Sequence, residues 1–312
     1  MKKRVTVIII CLFTSFMIYA IFVTHVYHRE IKVNVSVSLA TQQFSSLRNI
    51  SRWYLPFASA DTLNFKIIRK DKLDYANQTL RLSKLTGLSA WFEVGEKAQS
   101  RTVLFSVAAD TAGTSVFSLQ YESSLWNKLF PGNSIIENAE KSLQSLKDYF
   151  ADTKKMYGYQ MEMTTVTDTA FLFTSKVVAG NTKKEAFNQS FSSLIQYAKE
   201  KEMGYTGVRI FYISPFGNDS IHLFTSIGIT NIRGGGLNET FSLKKMPFKG
   251  RLLSAYYQGS FSNLNSVISA MNQFKSDNGL TTMAIPFVKL ITSGVEFDDF
   301  QVIQAKAFFP VF

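Results

Sequence analysis

One lysine is the clearest candidate in this sequence for a polar contact with a ligand. The run over residues 303–309 (IQAKAFF) favours a strand, and side chains alternate between the two faces of a strand. Gln304, Lys306 and Phe308 therefore share one face, while small apolar residues and Phe309 share the other. Two interpretations of Lys306 stay open. It is either the polar anchor of a binding cleft or an edge residue whose aliphatic stem covers apolar surface while its ammonium reaches water.

Aromatic side chains supply a second kind of chemistry, because flat rings line the pockets that hold organic ligands. The chain has 28 phenylalanines and 13 tyrosines in 312 residues. Core packing accounts for part of this number, and the rest are candidates for a pocket. The predicted ligand site consists of Tyr257, Phe261, Phe287, Lys306 and Phe308.

Signals for catalysis or metal binding are weak. The three glycines at residues 234–236 lack the Gly-Lys-Ser/Thr ending of a phosphate-binding loop. Asp298 and Asp299 are adjacent, so on a strand they point to opposite faces and cannot act as a carboxylate pair. A Ser–His–Asp catalytic triad would have to use His222, but the sequence has no G-x-S-x-G segment, the strained turn that presents a nucleophilic serine. The single cysteine, Cys11, excludes an intramolecular disulfide and a cysteine-based zinc site. We therefore predict no catalytic residue, no metal and no cofactor.

Composition bounds the class of protein. A 46 % hydrophobic chain of 312 residues is long enough for two domains or one large one, and its apolar content excludes wholesale disorder. The net charge of +11 is spread without a dense basic run, which is a poor signature of nucleic-acid binding. We predict no nucleic-acid partner.

The amino-terminal segment has the pattern of a membrane anchor. Residues 5–23 are 19 residues without a charge, which as a helix span about 28 Å, close to the bilayer core of about 30 Å. Three basic residues at 2–4 precede them. By the positive-inside rule, residues 1–30 are predicted to form a cytoplasmic stub and one uncleaved lipid-spanning helix, with the bulk of the chain outside the cytoplasm. A cleavable signal peptide is the alternative, but no A-x-A site follows Ala20.

Residues 31–152 are predicted to form the first of two domains. Strict alternation from Ile31 to Val37 favours a strand over residues 31–43, and five further strand-like runs follow in an antiparallel arrangement. Ser134 and Glu137 form a capping box before an amphipathic helix that ends near Phe150. A curved sheet whose apolar face needs a covering helix gives this order.

Beyond a polar junction near residues 152–157, the chain repeats a strand, helix, strand, strand pattern. The helical pattern at residues 187–204 resembles that at 261–279, and residues 231–240 join the two copies. Such copies can pair their sheets edge to edge and leave a cleft, and clefts between repeats are common ligand sites. The predicted fold class of the whole chain is therefore α+β.

Residues 157–312 resemble the GyrI-like small-molecule-binding domain, the effector-binding module of AraC-type regulators. The resemblance is carried by the K-x-P opening at 245–247, the YYQGSF segment at 256–261, the following helix and the FFPV ending at 308–311. It implies a ligand cleft between the two repeats. The family usually has an acidic residue in the last strand, where this chain has Lys306. The lysine changes the charge at this position from negative to positive, which disfavours a cationic ligand there.

Residues 31–152 are similar, more weakly, to the SRPBCC helix-grip superfamily of polyketide-cyclase-like and START-like proteins. The resemblance is carried by the opening strand, by WYLP at 53–56 followed by Asp61, and by LKDYF at 146–150. It implies an apolar ligand held between sheet and helix. Together these observations favour a membrane-anchored, non-catalytic protein that binds a small hydrophobic or aromatic molecule. A hydrolase or cyclase, and a scaffold with collapsed cavities, are the alternatives.

Overall fold

The computed structural model describes residues 2–59, 66–69, 71–75, 77–96, 99–111, 113–129, 134–168, 170–231, 240–282, 284–291 and 300–312. Within these ranges, side chains are described except at residues 2–7, 59, 66–69, 96, 99, 129 and 134. The chain divides into two compact units, unit 1 (Met1–Asp152) and unit 2 (Thr153–Phe312). Each has one antiparallel sheet with helices, which confirms the α+β fold class.

Unit 1 is a seven-stranded sheet in the order β1-β7-β6-β5-β4-β3-β2. Its strands are β1 (Thr24–Val33), β2 (Lys66–Arg69), β3 (Lys72–Tyr75), β4 (Gln78–Leu85), β5 (Ser89–Glu96), β6 (Gln99–Ala109) and β7 (Ser115–Ser124). Its helices are α1 (Lys2–Phe22), α2 (Val37–Gln42), α3 (Leu47–Ile50), α4 (Leu125–Leu129) and α5 (Ser134–Ala151), with a 3-10 turn at Phe57–Ser59. The long helix predicted after Ser134 is thus confirmed as α5.

The core of unit 1 lies between one face of this sheet and helices α2 and α5. Alternate residues of β6 and β7 face the core, and the ring of Phe105 on β6 contacts Trp53 and Tyr54 edge-on, with ring centroids 5.5 and 6.0 Å apart. Leu143 and Leu146 on α5 are buried in the same core. These residues pack the helix across the sheet. Burial of each such side chain stabilises the fold by about 1.5–3 kcal/mol.

The predicted strand over residues 31–43 differs from the structure, because the paired strand begins earlier and ends earlier. Residues 24–30, predicted as part of the anchor segment, are the first seven residues of β1 and pair with β7. The strand ends at Val33, and α2 follows at Val37 because the Ser36 side chain accepts a hydrogen bond from the backbone N–H of Leu39. A serine in this position is a strong helix start, and it outweighs the alternating valines.

Helix α1 coincides with the predicted membrane anchor. It includes residues 5–22 of the predicted segment. Among the residues that the structure describes, no helix is both long enough and apolar enough to cross a membrane. This finding contradicts the predicted single-pass anchor through residues 5–23 and the cell-membrane location inferred from it.

Unit 2 is an eight-stranded sheet in the order β12-β9-β11-β10-β14-β15-β13-β8. Its strands are β8 (Met161–Thr165), β9 (Ala170–Ala179), β10 (Gly204–Phe216), β11 (Ser220–Thr230), β12 (Ser242–Lys245), β13 (Arg251–Ser260), β14 (Phe287–Leu290) and β15 (Val302–Pro310). Its helices are α6 (Thr153–Tyr157), α7 (Lys183–Glu200) and α8 (Leu264–Asp277), with 3-10 turns at Gly180–Thr182 and Phe261–Asn263. Residues 153–157 of the predicted junction are helical.

Helices α7 and α8 pack on one face of this sheet and bury its main core. Leu194 on α7 and Met271 on α8 belong to one apolar cluster with Phe211 on β10, Leu223 on β11 and Ala305 on β15. Because side chains alternate along a strand, the intervening residues point to the other side. We call that second side, which carries Phe173, Tyr212, Phe224, Phe287 and Phe308, the open face.

Candidate ligand-binding cleft

A cleft of about 930 Å³ lies on the open face of unit 2. Strands of the first half supply its floor: Phe171, Phe173, Ile210, Tyr212, Phe224 and Ser226. Its sides are formed by residues 244–247 and 249–252, residues 284–287 and residues 310–312. The lining therefore comes from both halves of the unit and from the segment that joins them.

The floor is aromatic because of the alternation along β9, β10 and β11. Phe224 lies between Phe173 and Tyr212, with ring centroids 6.3 and 6.1 Å away, and the Tyr212 ring is 28° from parallel to it. The imidazole of His222 continues this row, 4.0 Å from Phe224 between ring centroids. A row of neighbouring rings on one sheet face presents a flat apolar surface to a ligand.

The charged side chains that line the cleft are all basic among the described residues: Lys244, Lys245, Lys249 and Arg251. All four are exposed, and none forms an ion pair within the described part of the chain. The Lys244 ammonium lies 5.2 Å from the centroid of the Phe173 ring on the floor. We call residues 244–251 (KKMPFKGR) the basic segment.

The five predicted site residues are divided between the two faces of the sheet. Tyr257 and Phe261 belong to the core beneath the helices, where they are 2 % and 6 % exposed. The Tyr257 hydroxyl donates to the Ser260 carbonyl over 2.5 Å, and burial raises the pKa of this phenol. Phe261 packs against Phe187 and Phe211. Neither residue lines the cleft.

Phe287, Phe308 and Lys306 lie together on the open face. The Phe287 and Phe308 rings stack with centroids 5.0 Å apart and planes at 18°. Phe287 lines the cleft, and Phe308 packs behind it at 9 % exposure with Val166. The Lys306 ammonium is 5.8 Å from the Phe308 ring and forms an ion pair with Glu162 on β8, outside the cleft lining.

Lys306 has a lysine directly beside it. Lys289 on β14 pairs in register with Lys306 on β15, and like charges in such positions repel. Each is balanced by its own carboxylate, since Lys289 lies 2.8 Å from Asp168 and Lys306 pairs with Glu162. The hydrogen bond and charge of Lys306 hold the pKa of the Glu162 carboxyl below its ordinary value. These two lysines are therefore neutralised within the protein.

The basic segment is the part of the site that the sequence pattern missed. Four of its eight residues are basic, a local concentration of charge that a description of the whole chain as lacking a dense basic run does not reveal. It also holds Pro247 and Gly250, a combination typical of a turn between strands. The remaining motifs at residues 234–236, Asp298 and Asp299 lie outside the described residues, as does the side chain of Ser134.

A second polar cluster lies in unit 1, around Glu140 on α5. The Tyr121 hydroxyl donates to Glu140 over 2.5 Å, the Lys128 ammonium donates to Glu140 over 2.7 Å, and the Arg29 guanidinium lies 3.3 Å away. Burial and the neighbouring carboxylate raise the pKa of the Tyr121 phenol, so it stays protonated. This arrangement joins α4, α5 and the sheet. Within the described residues, no group of three or more acidic, histidine or cysteine side chains could hold a metal.

Comparisons with known proteins give likenesses of structure. No protein-family model matches the sequence, and no curated protein matches it significantly. The C-terminal domain of EcmrR is 13 % identical with a TM-score of 0.37, over 49 % of this chain and 98 % of that one. An uncharacterized conserved protein from Listeria innocua is 17 % identical with a TM-score of 0.37, over 53 % of this chain and 98 % of that one.

The di-domain ARO/CYC protein BexL from the BE-7585A biosynthetic pathway is 9 % identical with a TM-score of 0.33, over 92 % of this chain and 85 % of that one. At TM-scores below 0.5, these likenesses carry no argument about what this chain binds.

Proposed function

We propose that unit 2 binds a small apolar or aromatic molecule in the cleft and does not transform it. The observation that carries the proposal is a cleft of about 930 Å³ whose floor and sides come from both halves of the unit. This volume lies within the range of about 300–1,000 Å³ usual for small-molecule sites, which are lined mainly by apolar and aromatic side chains. The row from Phe173 through Phe224 to Tyr212 supplies such a lining.

The absence of a poised catalytic group among the described lining residues supports binding rather than catalysis. That lining contains neither a histidine nor a cysteine nor a carboxylate side chain. A serine, tyrosine or lysine acts in acid–base or nucleophilic catalysis when a second group within hydrogen-bond reach activates it, and none of the described Ser226, Tyr212 and lysine side chains of the lining makes such a side-chain hydrogen bond. The polar hydroxyls of Tyr212 and Ser226 suit orientation of a ligand instead.

The architecture supports two finer assignments, which we also propose. Unit 2 contains two successive strand, helix, strand, strand runs joined in one sheet, as the GyrI-like resemblance implies. Unit 1 packs α5 across an antiparallel sheet, as the helix-grip resemblance implies. The Trp53, Tyr54 and Phe105 rings occupy the space between sheet and helix in unit 1, so we assign ligand binding to unit 2.

The experiment that tests the proposal blocks the floor of the cleft. Ser226→Phe places a ring at the centre of the floor, and a strand accepts an aromatic residue readily. Binding of the neutral fluorophore N-phenyl-1-naphthylamine by the full chain is expected to weaken at least about tenfold. The matched control is Ser192→Phe, at an exposed position of α7 on the other face, which should bind like the unmodified protein.

Unchanged fluorophore binding by Ser226→Phe, or equal loss in both variants, would contradict the proposal. Circular dichroism of the two variants checks that each keeps its fold. Native mass spectrometry of the purified full chain provides a second measurement, in which a co-purified small molecule is expected to be lost from Ser226→Phe and kept by Ser192→Phe.

A further inference from the structure

We infer that the ligand of the cleft is an amphipathic anion whose apolar body lies on the aromatic floor and whose acidic group faces the basic segment. This inference rests on the proposed function and names the chemical class of its ligand. Its basis is the single sign of charge in the lining. The charged side chains among the described lining residues are all basic: Lys244, Lys245, Lys249 and Arg251.

The two groups of lysines on this sheet provide an internal contrast. Lys289 and Lys306 lie on the open face beyond the cleft lining, and each has a carboxylate partner, Asp168 and Glu162 respectively. The basic side chains at the cleft have no ion-pair partner anywhere in the described part of the chain. Lys289 and Lys306 are thus balanced within the protein, whereas the basic side chains at the cleft are available for a charge that arrives with the ligand.

The backbone of the basic segment is held in place beside the cleft. Gly250 donates to the Pro247 carbonyl over 2.9 Å, and Val166 exchanges hydrogen bonds with Lys249 and Gly250 over 3.3 and 2.9 Å. Lys249 has φ of 60°, in the left-handed region that glycine adopts at lower cost. These hydrogen bonds hold the backbone of the turn against the edge of the sheet, so the Cα atoms that carry its basic side chains have defined positions beside the cleft.

The expected selectivity follows from the position of these charges. An apolar cleft lined by one sign of charge concentrates ligands of the opposite sign and repels those of the same sign. A carboxylate gains charge-assisted hydrogen bonds from lysine or arginine, whereas an ammonium ligand is repelled by these four basic side chains. Because the four basic groups are exposed, the preference is expected to be modest, about tenfold in affinity, and to weaken as salt screens it.

The test uses three probes that share one naphthalene ring and differ in charge: 1-naphthylacetate, 1-naphthylmethanol and 1-naphthylmethylammonium. Each is titrated against the full chain in about 0.05 M and about 0.5 M NaCl, a range over which surface charges become screened. We expect the carboxylate to bind about tenfold more tightly than the ammonium at low salt. High salt should weaken carboxylate binding and should strengthen ammonium binding.

Charge-removing variants locate the effect. Arg251→Gln and Lys244→Gln are each expected to weaken carboxylate binding about three- to fivefold and to leave the neutral probe unchanged, because each removes one exposed charge. Lys199→Gln makes the same change on α7, on the other side of the sheet, and is the matched control. It should bind all three probes like the unmodified protein.

The outcomes separate the inference from the function on which it rests. If all three probes bind equally and Ser226→Phe abolishes all three, the cleft binds ligands and the inferred anion selectivity is overturned. Equal weakening by Arg251→Gln and Lys199→Gln would overturn it as well, since the effect would then be one of net charge. If none of the probes binds and N-phenyl-1-naphthylamine fails too, the proposed function itself fails.

Discussion

Tyr257 and Phe308 lie on opposite faces of the sheet of unit 2, although β13 and β15 are neighbours in it. Tyr257 pairs in register with Ala305 and shares the face that α7 and α8 cover, while Phe308 pairs with Ser254 on the open face. A residue buried under the helices stabilises the fold, and a residue at the cleft contacts ligand. The two aromatic residues should therefore respond differently to substitution.

Phe287→Ala and Tyr257→Phe test this division. Phe287→Ala removes a side of the cleft and its stack with Phe308, so the affinity for 1-naphthylacetate should fall about three- to tenfold. Tyr257→Phe keeps the ring and removes the hydrogen bond to Ser260, so the free energy of unfolding should fall by about 1 kcal/mol with affinity unchanged. Titration and urea unfolding of both variants measure these effects. Loss of affinity in Tyr257→Phe would place the ligand on the helix side.

Lys306→Gln decides between the two interpretations of this lysine. Lys306 is balanced by Glu162 and does not line the cleft. We expect the affinity for 1-naphthylacetate to change less than about twofold, compared with about three- to fivefold for Arg251→Gln. Isothermal titration of both variants makes the comparison. A larger loss from Lys306→Gln than from Arg251→Gln would instead make Lys306 the polar anchor of the ligand.

Glu140 should make the stability of unit 1 depend on pH. Burial disfavours the charged carboxylate, but the hydrogen bonds from Lys128 and Tyr121 outweigh it and lower the pKa below its ordinary value of 4.5. A carboxyl with a lowered folded-state pKa stabilises the fold above its unfolded-state pKa, and this contribution is lost as pH falls through the folded-state value. We therefore expect the free energy of unfolding to decline below about pH 4.5.

Glu140→Gln is expected to lower the free energy of unfolding by about 1 kcal/mol at pH 7, after allowance for partial exposure. It should also reduce the fall in the free energy of unfolding at acidic pH. Glu137→Gln on the same helix breaks an exposed pair with Lys141 and should cost less than about 0.5 kcal/mol. Urea unfolding between pH 3 and 7 measures both. If the free energy of unfolding depends on pH equally in the unmodified protein and in Glu140→Gln, Glu140 is not the source of that dependence.

The hydroxyl of Tyr54 is a place in the core of unit 1 where a substitution should add stability. It is completely buried without a hydrogen-bond partner in the described part of the chain, and burial raises the pKa of this phenol. Tyr54→Phe removes an unsatisfied polar group and keeps the ring, so the free energy of unfolding should rise by about 1 kcal/mol. Tyr121→Phe removes a hydroxyl that is hydrogen-bonded to Glu140, so this substitution should lower the free energy of unfolding. Destabilisation by Tyr54→Phe would contradict this account.

Regular patterns of buried residues made much of the fold predictable. The alternation of Ile303, Ala305, Ala307 and Phe309 correctly indicates one buried strand face, and all four are in the core of unit 2. The short edge strands β8 and β12 carry mostly exposed or half-buried residues, so no apolar alternation reveals them. Their pairing with β13 and β9 comes from the rest of the sheet, which overrides weak local preference.

The candidate site was predictable only in part, because register decides which face each residue joins. Alternation groups Lys306 with Phe308, and the structure keeps these together with Phe287. Alternation within one strand cannot show which face of the next strand matches it, so Tyr257 was grouped with them. The basic segment acquires its place beside the cleft through the hydrogen bonds of Val166 with Lys249 and Gly250, residues far from it in sequence.

The most direct measurement of the central claim is an NMR titration of the isotope-labelled full chain with 1-naphthylacetate. We expect chemical-shift changes at the cleft, with those of Ser226, Phe287 and Arg251 among the largest, and only small changes at Lys199 and Ser192 on α7. The changes should disappear in Ser226→Phe. Shifts concentrated on the helix side around Tyr257 and Phe261, or persistence of the same shifts in Ser226→Phe, would contradict ligand binding in the cleft.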